Sequence, residues 1–541
     1  MRRLIQLTLA GLVLSALPAA RAQQAPYDLI IRGGHVLDGT GNPWIDADVG
    51  VRGDRIAAVG RLTGATARRE IDARGLVVTP GFIDMHTHSD QPLLADGNAE
   101  SKVREGVTID VIGEATTVAP RDGLPEARDT WTNFTGYWAA LQQKGISMNV
   151  ISEVSYQQIR LVVKGYTTGP ATPADLAKMK DLAARSMKEG AWGLVTRFES
   201  GGPEYPDEVI EVAKTVASLG GIYTSHIGSE GMQQDKEIDF AIRVAQDAKL
   251  PVHIFHLKIR GKPNWGTVGK YVDKIEAARK RGLDVTANQY PYTAMQHGWS
   301  AFFPVWAREG GPQKFAEILK DPAMQKKIKD DKDFQTWVME HGGWDGIVMG
   351  RARLPQIKEF EGMRISAIAK LRGDADPADT CIQLMAAEGG TITGMFHTMS
   401  EDDVRLVMKQ PWVSIASDGS AINLQEPGLP HPRSYSTNPR VLGHYVRDEK
   451  VLTLEDAVRK MTSLPAQILG LRDRGQIREG FAADLVVFDP ANVSETNTFD
   501  KPKSYPVGIP FTIVNGVVVI DSGNHTGARP GRALMSRAFQ R

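Results

Sequence analysis

The segment Asp84-Met85-His86-Thr87-His88 follows an apolar run and places two histidines two positions apart. Because alternate residues of a β-strand point to the same face, His86 and His88 can bind one metal ion from a single strand end. Imidazole ligands suit zinc, and other divalent first-row ions are also compatible with them. Such a pair also occurs in ordinary surface turns, so the metal hypothesis needs further ligands.

Four more potential ligands stand at the ends of other apolar runs. His226 closes IYTSHI and His256 lies in PVHIFHLK, about one strand-plus-helix unit further along the chain. Glu114 ends VTIDVIGE and Asp418 ends WVSIASDG. Each alone is as easily a core histidine or a capping carboxylate, but six such groups at successive strand ends are hard to explain by chance. His253 has the opposite strand parity from His256, so we expect it to pack away from the site.

Four imidazoles and two carboxylates exceed the ligand requirement of one tetrahedral zinc ion. This number suggests two adjacent metal sites bridged by Glu114. Such a site lowers the pKa of bound water and polarises a carbonyl group, which is hydrolytic chemistry. We expect Asp418 to take a proton from that water and to pass it to a leaving amine.

The strands that carry these residues alternate with amphipathic, helix-like stretches. This alternation predicts parallel βα units and a closed (β/α)8 barrel, with an open doubly wound sheet as the alternative. Active sites of such barrels lie at the carboxyl ends of the strands, where the six candidate ligands are found. There are nine candidate strands for eight barrel positions, so at least one is wrong or extra. The candidates are residues 81–88, 107–114, 147–154, 191–196, 222–227, 251–258, 283–290, 391–397 and 412–419.

Short β-rich runs with Gly and Asp-Gly turns occur near both ends of the chain. We therefore predict one small β domain, a β-sandwich, formed by residues 23–79 together with 473–541. The barrel is predicted to occupy residues 80–472. Within it, residues 290–350 are too long for an ordinary connection and are interpreted as an inserted lid.

Composition excludes several other classes of protein. The 541 residues include 64 Lys and Arg against 64 Asp and Glu, so there is no basic excess of the kind that nucleic-acid binding requires. The single cysteine, Cys381, allows neither an internal disulfide nor a cysteine-rich zinc site. Residues 1–22 have the pattern of a secretory signal, which predicts an exported, periplasmic protein without a membrane span after cleavage.

Several motifs resemble the amidohydrolase superfamily and, within it, the N-acyl-D-amino-acid deacylase group. PGFIDMHTH at 80–88 is typical of the superfamily, whereas HPRSY at 431–435 and HTGARPGR at 525–532 are more specific to the deacylases. Similar stretches include SHIGSE, FHLK and YPYTA, and the resemblance covers nearly all of the predicted mature chain. It implies a (β/α)8 barrel with a small β-sandwich, zinc, and hydrolysis of small N-acyl-D-amino acids.

The resemblance also implies roles for individual residues. A tightly held metal ion would sit on Glu114, His226 and His256, and a weaker site would use His86, His88 and Asp418. Lys258 and Tyr292 resemble substrate-binding residues of the family. Arg433 resembles an arginine that holds the substrate carboxylate, a task that suits a bidentate guanidinium group.

Two departures from the family pattern affect the site. The family has a Gly-Asn-Cys segment with a metal-bridging cysteine where this chain reads Gly113-Glu114-Ala115. Glutamate can also bridge, but the change from a sulfur to an oxygen ligand leaves the metal preference open. Residues 193–198 read GLVTRF where the family has GLSTGL, and we expect Arg197 and the adjacent Glu199 to influence which side chain or acyl group is accepted.

Other functions remain compatible with the same scaffold. A dipeptidase, a hydantoinase-like cyclic amidase or a xenobiotic amide hydrolase would use the same ligands. A periplasmic protein that only binds a metal or a ligand would also keep the barrel, but it would have no need of a proton-transferring Asp418.

Overall fold

A computed structural model of the chain describes residues 27–114, 118–124, 131–165, 167, 169–198, 203–231 and 234–539. Two predictions concern residues outside these ranges, namely the signal segment at 1–22 and Glu199. Among the described residues, no helix is both long enough and apolar enough to cross a bilayer.

The strands are numbered here in chain order. They are β1 Tyr27–Val36, β2 Ile45–Arg52, β3 Arg55–Gly60, β4 Ala67–Asp72, β5 Val77–Pro80, β6 Phe82–Asp84, β7 Val107–Ile112, β8 Asn149–Ser152, β9 Val154–Ser155, β10 Gly193–Arg197, β11 Ile222–His226, β12 Val252–Ile254, β13 Val285–Gln289, β14 Ala294–Gly298, β15 Ile347–Arg351, β16 Thr393–His397, β17 Val413–Ile415, β18 Leu485–Phe488, β19 Phe511–Val514, β20 Val517–Asp521 and β21 Asn524–His525.

The α-helices are numbered in the same way. They are α1 Asp90–Ala95, α2 Glu100–Val103, α3 Phe134–Lys144, α4 Tyr156–Lys164, α5 Pro173–Lys188, α6 Pro206–Ser218, α7 Gln234–Ala248, α8 Gly269–Lys280, α9 Val305–Arg308, α10 Gly311–Ile318, α11 Pro322–Asp330, α12 Lys332–Glu340, α13 Gly343–Gly346, α14 Pro355–Lys358, α15 Ile365–Arg372, α16 Pro377–Ala387, α17 Glu401–Met408, α18 Arg433–Arg440, α19 Leu454–Met461 and α20 Ser463–Leu469. Single turns of 3₁₀ helix occur at Lys262–Asn264 and Trp299–Phe302, and Val441–Asp448 continues α18 as a π-helix.

The barrel is formed by parallel strands whose residues are buried on both faces, as the apolar runs predict. One sheet has the order β17-β13-β12-β11-β10-β9 and a second has the order β6-β7-β8. Only Glu153 separates β8 from β9, and a parallel bridge between Thr87 and Gly419 joins the ends of β6 and β17. Counting β8 and β9 as one broken strand, the described residues close an eight-stranded barrel.

Both ends of the chain contribute to the small β domain. Strand β5 from the N-terminal part pairs antiparallel with β18 from the C-terminal part, with Val78 opposite Val487. The resulting sheet has the order β21-β20-β19-β18-β5-β1-β2-β3, and β4 pairs with β1. Its apolar side chains form a cluster of their own that includes Val49 and Ile513. The predicted fold class, a barrel with a small β domain built from both chain ends, is confirmed.

The insertion is larger than the sequence predicted. Strands β14, β15 and β16 form a separate antiparallel sheet, and its apolar cluster runs from Tyr290 to Met399 instead of ending near residue 350. Residues 391–397 were therefore the surplus candidate among the barrel strands, because they form β16 of this sheet. A short buried apolar run has the same pattern in a barrel and in an antiparallel layer, so periodicity does not distinguish the two.

Candidate metal and substrate site

A cavity of about 380 Å³ opens at the carboxyl ends of the barrel strands. The barrel contributes His88, Glu114, His226, His256 and Asp418 to its wall. The insertion contributes residues 295–298 of β14, together with Ala301, Val305, Arg308 and Trp337. The inserted segment therefore forms one side of the cavity.

Glu114 lies between histidines from different strands. Its Oε2 atom is in close contact with His86 Nε2 and is 3.8 Å from His88 Nε2, while its Oε1 atom is 3.3 Å from His226 Nδ1. The Glu114 side chain is only 2% exposed. Its two oxygens thus face two different groups of imidazoles, which is the arrangement that a bridging carboxylate requires.

His226 and His256 form the second half of the cluster. His256 Nε2 lies 2.8 Å from His226 Nδ1, and His256 Nδ1 lies 3.1 Å from Glu230 Oε1. Glu230 also contacts the ammonium group of Lys258. A carboxylate on the far nitrogen of a metal-binding histidine fixes the ring and its tautomer, and Glu230 is in position for this role.

Asp418 connects the metal cluster to positively charged side chains. Its Oδ1 atom is 3.0 Å from His88 Nε2 and 3.7 Å from His86 Nε2, and its Oδ2 atom is 2.7 Å from Arg433 NH1. The Arg433 guanidinium also lies over the ring of Tyr290, 4.8 Å from its centroid. Asp418, Arg433 and Tyr290 therefore form one continuous group on the cavity wall.

Three of these residues adopt an unusual backbone conformation. Glu230, His256 and Asp418 have φ angles of +48°, +37° and +51°, in the left-handed region that residues with a Cβ rarely occupy. Strained backbone of this kind is concentrated at functional sites, where the surrounding structure holds it in place. The conformation turns each side chain into the cavity immediately after its strand or loop.

The electrostatic environment keeps Glu114, His226 and His256 in the forms that bind metal ions. Burial raises the pKa of the Glu114 carboxyl, but the imidazoles of His86 and His226 outweigh burial and hold the pKa well below its ordinary value. Burial lowers the pKa of both His226 and His256, which favours neutral rings with a free lone pair. Ionised carboxylates and neutral imidazoles are the protonation states that metal ligation requires.

Three groups of side chains have ligand atoms that all lie within 4.8 Å of one another. They are His86 with His88 and Glu114, His86 with His256 and Asp418, and His226 with Glu230 and His256. All six predicted ligands occur in these groups. The grouping by distance adds Glu230, which ends the stretch SHIGSE and was not predicted as a ligand.

The predicted substrate residues have different surroundings. Lys258 and Arg433 line the cavity, and so does Arg197, whose Nε atom is 3.7 Å from Glu114 Oε1. Tyr292 does not line it: its ring packs edge-on against His431, under the guanidinium group of Arg440. The tyrosine on the cavity wall is Tyr290, which directly follows β13, whereas the chain has turned away from the barrel axis two residues later.

His253 is a packing residue, but it does not point away from the site as its parity predicts, because the φ angle of +37° at His256 interrupts the alternation of side chains. It is buried beneath the site, where its Nδ1 atom lies 2.8 Å from Thr286 Oγ1 and its Nε2 atom lies 3.0 Å from Asn288 Nδ2. The Asn288 side chain in turn accepts a hydrogen bond from the backbone N–H of His256. His253 thus belongs to a polar layer that supports the ligands from below.

The sequence as a whole matches a known family model. The model described as "Amidohydrolase family" matches residues 69–320 and 337–520, which is most of the chain. The chain belongs to the amidohydrolase family. A curated amidohydrolase relative, D-aminoacylase of Alcaligenes xylosoxydans xylosoxydans, is 34% identical over 537 residues, covering 96% of this chain and 100% of the relative.

Solved structures of amidohydrolases agree with this assignment. A crystal structure of D-aminoacylase has 33% sequence identity and a TM-score of 0.78, covering 95% of this chain and 100% of the other. N-acyl-D-glutamate deacylase from Bordetella bronchiseptica, in complex with zinc and a phosphonate inhibitor, has 28% identity, a TM-score of 0.78 and the same two coverages. The protein is therefore a member of the amidohydrolase family with relatives that hydrolyse N-acyl-D-amino acids and bind zinc.

Proposed function

We propose that this protein is a metal-dependent deacylase that hydrolyses N-acyl-D-amino acids to a carboxylate and a free D-amino acid. The observation that carries the proposal is the juxtaposition, in one cavity, of the imidazole and carboxylate cluster with Arg433, which is 2.7 Å from Asp418. Such a cavity combines a metal site for hydrolysis with a guanidinium group suited to a substrate carboxylate. The D-configuration is supported by the substrates named for the two relatives, D-aminoacylase and N-acyl-D-glutamate deacylase.

The donor set fits zinc. Four imidazoles and two carboxylates converge at the strand ends, and one more carboxylate, Glu230, backs His256. We propose that His86, His88, Glu114, His226, His256 and Asp418 hold one or two ions. Zinc bound there supplies a Lewis acid that lowers the pKa of water towards about 7 and polarises the substrate carbonyl.

Asp418 is the proposed proton carrier of the reaction. Burial raises the pKa of its carboxyl, but Arg433, His86 and His88 outweigh burial and hold the pKa well below the ordinary value. The carboxylate is therefore ionised at neutral pH and can accept a proton from the attacking water. As the C–N bond breaks, the same carboxyl group donates this proton to the leaving nitrogen.

Arg433, Lys258 and Tyr290 are the proposed substrate-holding residues. The Lys258 ammonium group lies 5.1 Å from the centroid of the Tyr290 ring, and Arg433 lies over the same ring. The Tyr290 hydroxyl is buried and has no hydrogen-bond partner among the described residues. We propose that these three groups bind the α-carboxylate of the amino acid, and that Tyr290 takes the role that the sequence resemblance gave to Tyr292.

A substrate panel tests the proposal. The zinc-loaded protein is assayed with N-acetyl-D-amino acids, N-acetyl-L-amino acids, a D-dipeptide and a hydantoin, and release of the free amino group is measured. We expect turnover of the N-acetyl-D series and little of the others. Turnover of the hydantoin or of the L series alone would contradict the proposal.

A variant of Asp418 controls for the chemistry. Asp418→Asn keeps the shape of the side chain but removes the proton acceptor, so we expect kcat to fall by about 10²-fold or more. The metal content is measured on the same sample, because loss of zinc would lower the activity for a different reason. Unchanged kcat in a zinc-loaded variant would show that Asp418 is not the proton carrier.

We also propose that the protein is exported to the periplasm. The support is the pattern of residues 1–22, with Arg2 and Arg3 before an apolar stretch and Ala20-Arg21-Ala22 at its end. Expression in a host with two membranes, followed by fractionation and N-terminal sequencing, tests this. A periplasmic product that begins at Gln23 is the expected result, and an uncleaved cytoplasmic product would contradict it.

A further inference from the structure

The insertion carries a second pair of histidines, separate from the metal cluster at the strand ends. His297 lies in β14 and lines the cavity, and His341 directly follows α12. Their Nε2 atoms are 3.1 Å apart, and the ring planes are inclined by 81°. Phe396 stacks on the His297 ring and contacts the His341 ring edge-on, so the pair is held between aromatic side chains.

The hydrogen bonds of this pair determine where its protons are. His297 Nδ1 is 2.8 Å from the carbonyl oxygen of Gly298, and His341 Nδ1 contacts the carbonyl oxygen of Trp337. A carbonyl oxygen only accepts hydrogen bonds, so the Nδ1 atom carries the hydrogen in both rings. Because a neutral imidazole has a single N–H group, both Nε2 atoms present lone pairs to each other.

Two facing lone pairs at this distance repel each other unless a positive charge lies between them. A proton is the first possibility, but burial lowers the pKa of both rings, to about 3 for His297 and well below the ordinary value for His341, and Arg260 lowers both further. Both rings are therefore neutral near pH 7. Neutral imidazoles with converging lone pairs are ligands for zinc and copper ions.

The charged groups around the pair do not prevent a cation from binding. The Arg260 guanidinium is buried, but its charge is offset by Glu340, 3.4 Å from its NH2 atom, and by Glu230, 3.9 Å from its NH1 atom. Zinc–nitrogen bonds of about 2.0–2.1 Å in a tetrahedral site place two ligand nitrogens about 3.3 Å apart. The observed separation of 3.1 Å is close to this value.

We propose that His297 and His341 bind a divalent zinc or copper ion through their Nε2 atoms, at a site distinct from the catalytic cluster. His297 lines the cavity, so the remaining coordination positions would be filled by water or by a polar group of a ligand in the cavity. An ion with its water molecules would occupy part of the 380 Å³ available to the substrate. Excess zinc is therefore expected to raise KM without a matching fall in kcat.

Metal stoichiometry tests the site without reference to catalysis. The full chain is dialysed against buffers of increasing free zinc, and bound zinc per chain is measured for the wild type, for His341→Gln and for the control His444→Gln. His444 is a partly exposed histidine 3.2 Å from Glu449 and away from the cavity. We expect His341→Gln to bind one ion fewer at saturation, and the control to match the wild type.

Anomalous diffraction at the zinc edge locates the ion directly. The expected result is a peak between the Nε2 atoms of His297 and His341 in wild-type crystals and no such peak in His341→Gln. If His341→Gln does not fold, His297→Gln replaces it, with the melting temperature as the criterion for folding.

Equal zinc content in wild type and variant, or anomalous peaks only at the strand-end cluster, would overturn the proposal. The KM measurement rests on the proposed deacylase activity, whereas the stoichiometry and the diffraction do not. Failure of the activity and failure of this site are therefore distinguishable.

Discussion

Replacing Glu230 by glutamine tests whether this carboxylate, which strand patterns did not predict, supports the metal site. The Glu230 side chain is 6% exposed, lies 3.1 Å from His256 Nδ1 and pairs with the Lys258 ammonium. Glutamine keeps the size of the side chain but removes its charge. The substitution therefore leaves Lys258 without an anionic partner beside a metal ligand.

The size of the effect follows from these contacts. Removing the carboxylate that orients a metal-binding histidine typically weakens metal affinity about 10- to 100-fold. This corresponds to about 1.4–2.7 kcal/mol of binding free energy. In the metal-free protein, breaking the buried ion pair with Lys258 adds a loss of up to about 3 kcal/mol in the free energy of unfolding. Lys258 reduces this loss by releasing its proton, because burial already lowers its pKa.

The assay is zinc competition with a chelator of known affinity, combined with urea unfolding of the metal-free protein. Glu208→Gln is the matched control, because its side chain is also 6% exposed and pairs with Arg160, 2.8 Å away, outside the cavity. We expect the control to lose stability and to keep its zinc affinity. A zinc Kd for Glu230→Gln within twofold of the wild type would refute the proposed support of His256.

Three further predictions concern other parts of the barrel. Burial raises the pKa of Glu105 from its ordinary 4.5 to about 7. Between these two pH values the Glu105 carboxyl is protonated in the folded protein and ionised in the unfolded chain. Stability should therefore fall by about 3 kcal/mol as the pH rises from about 4.5 to 7, and Glu105→Gln should flatten that slope in urea titrations. Arg433→Lys loses the bidentate fork, and KM for the N-acetyl-D-amino acid should rise about 10-fold or more at unchanged zinc content. Gly113→Ala should lower zinc content and melting temperature, because φ is +118° and a Cβ would lie 2.3 Å from the carbonyl oxygen of Glu153.

Sequence periodicity was sufficient to predict the barrel and the residues that end its strands. His86, Glu114 and His226 stand at or within two residues of a strand end, at the edge of the barrel where the carboxyl ends of the parallel strands meet. Four residues past a strand, as at His88 and Glu230, the direction of a side chain depends on the turn of the chain. Glu230 lies four residues past β11, and its direction depends on a φ of +48° that no local pattern predicts.

Tyr290 and Tyr292 of YPYTA are a second case in which strand alternation does not predict the direction of a side chain. Both are aromatic, both are buried, and the strand that precedes them ends at Gln289, so parity could not be extended to choose between them. The insertion begins at these residues and determines which tyrosine faces the cavity. It turns the chain so that Tyr292 packs against His431 and Tyr290 faces Arg433.

The left-handed conformations at Glu230, His256 and Asp418 indicate how the site is held together. Each costs free energy locally, of the order of 1 kcal/mol or more, and persists only if the surroundings leave no alternative. At His256 and Asp418, hydrogen bonds to neighbouring strands hold the backbone in place. The backbone N–H of His256 donates to the Asn288 side chain, and the backbone N–H of Asp418 donates to the His86 carbonyl oxygen, 2.9 Å away. The strained ligands are thus anchored by the strand ends that carry other parts of the site. This explains why residues more than 300 positions apart in the chain can meet with the accuracy that metal binding requires.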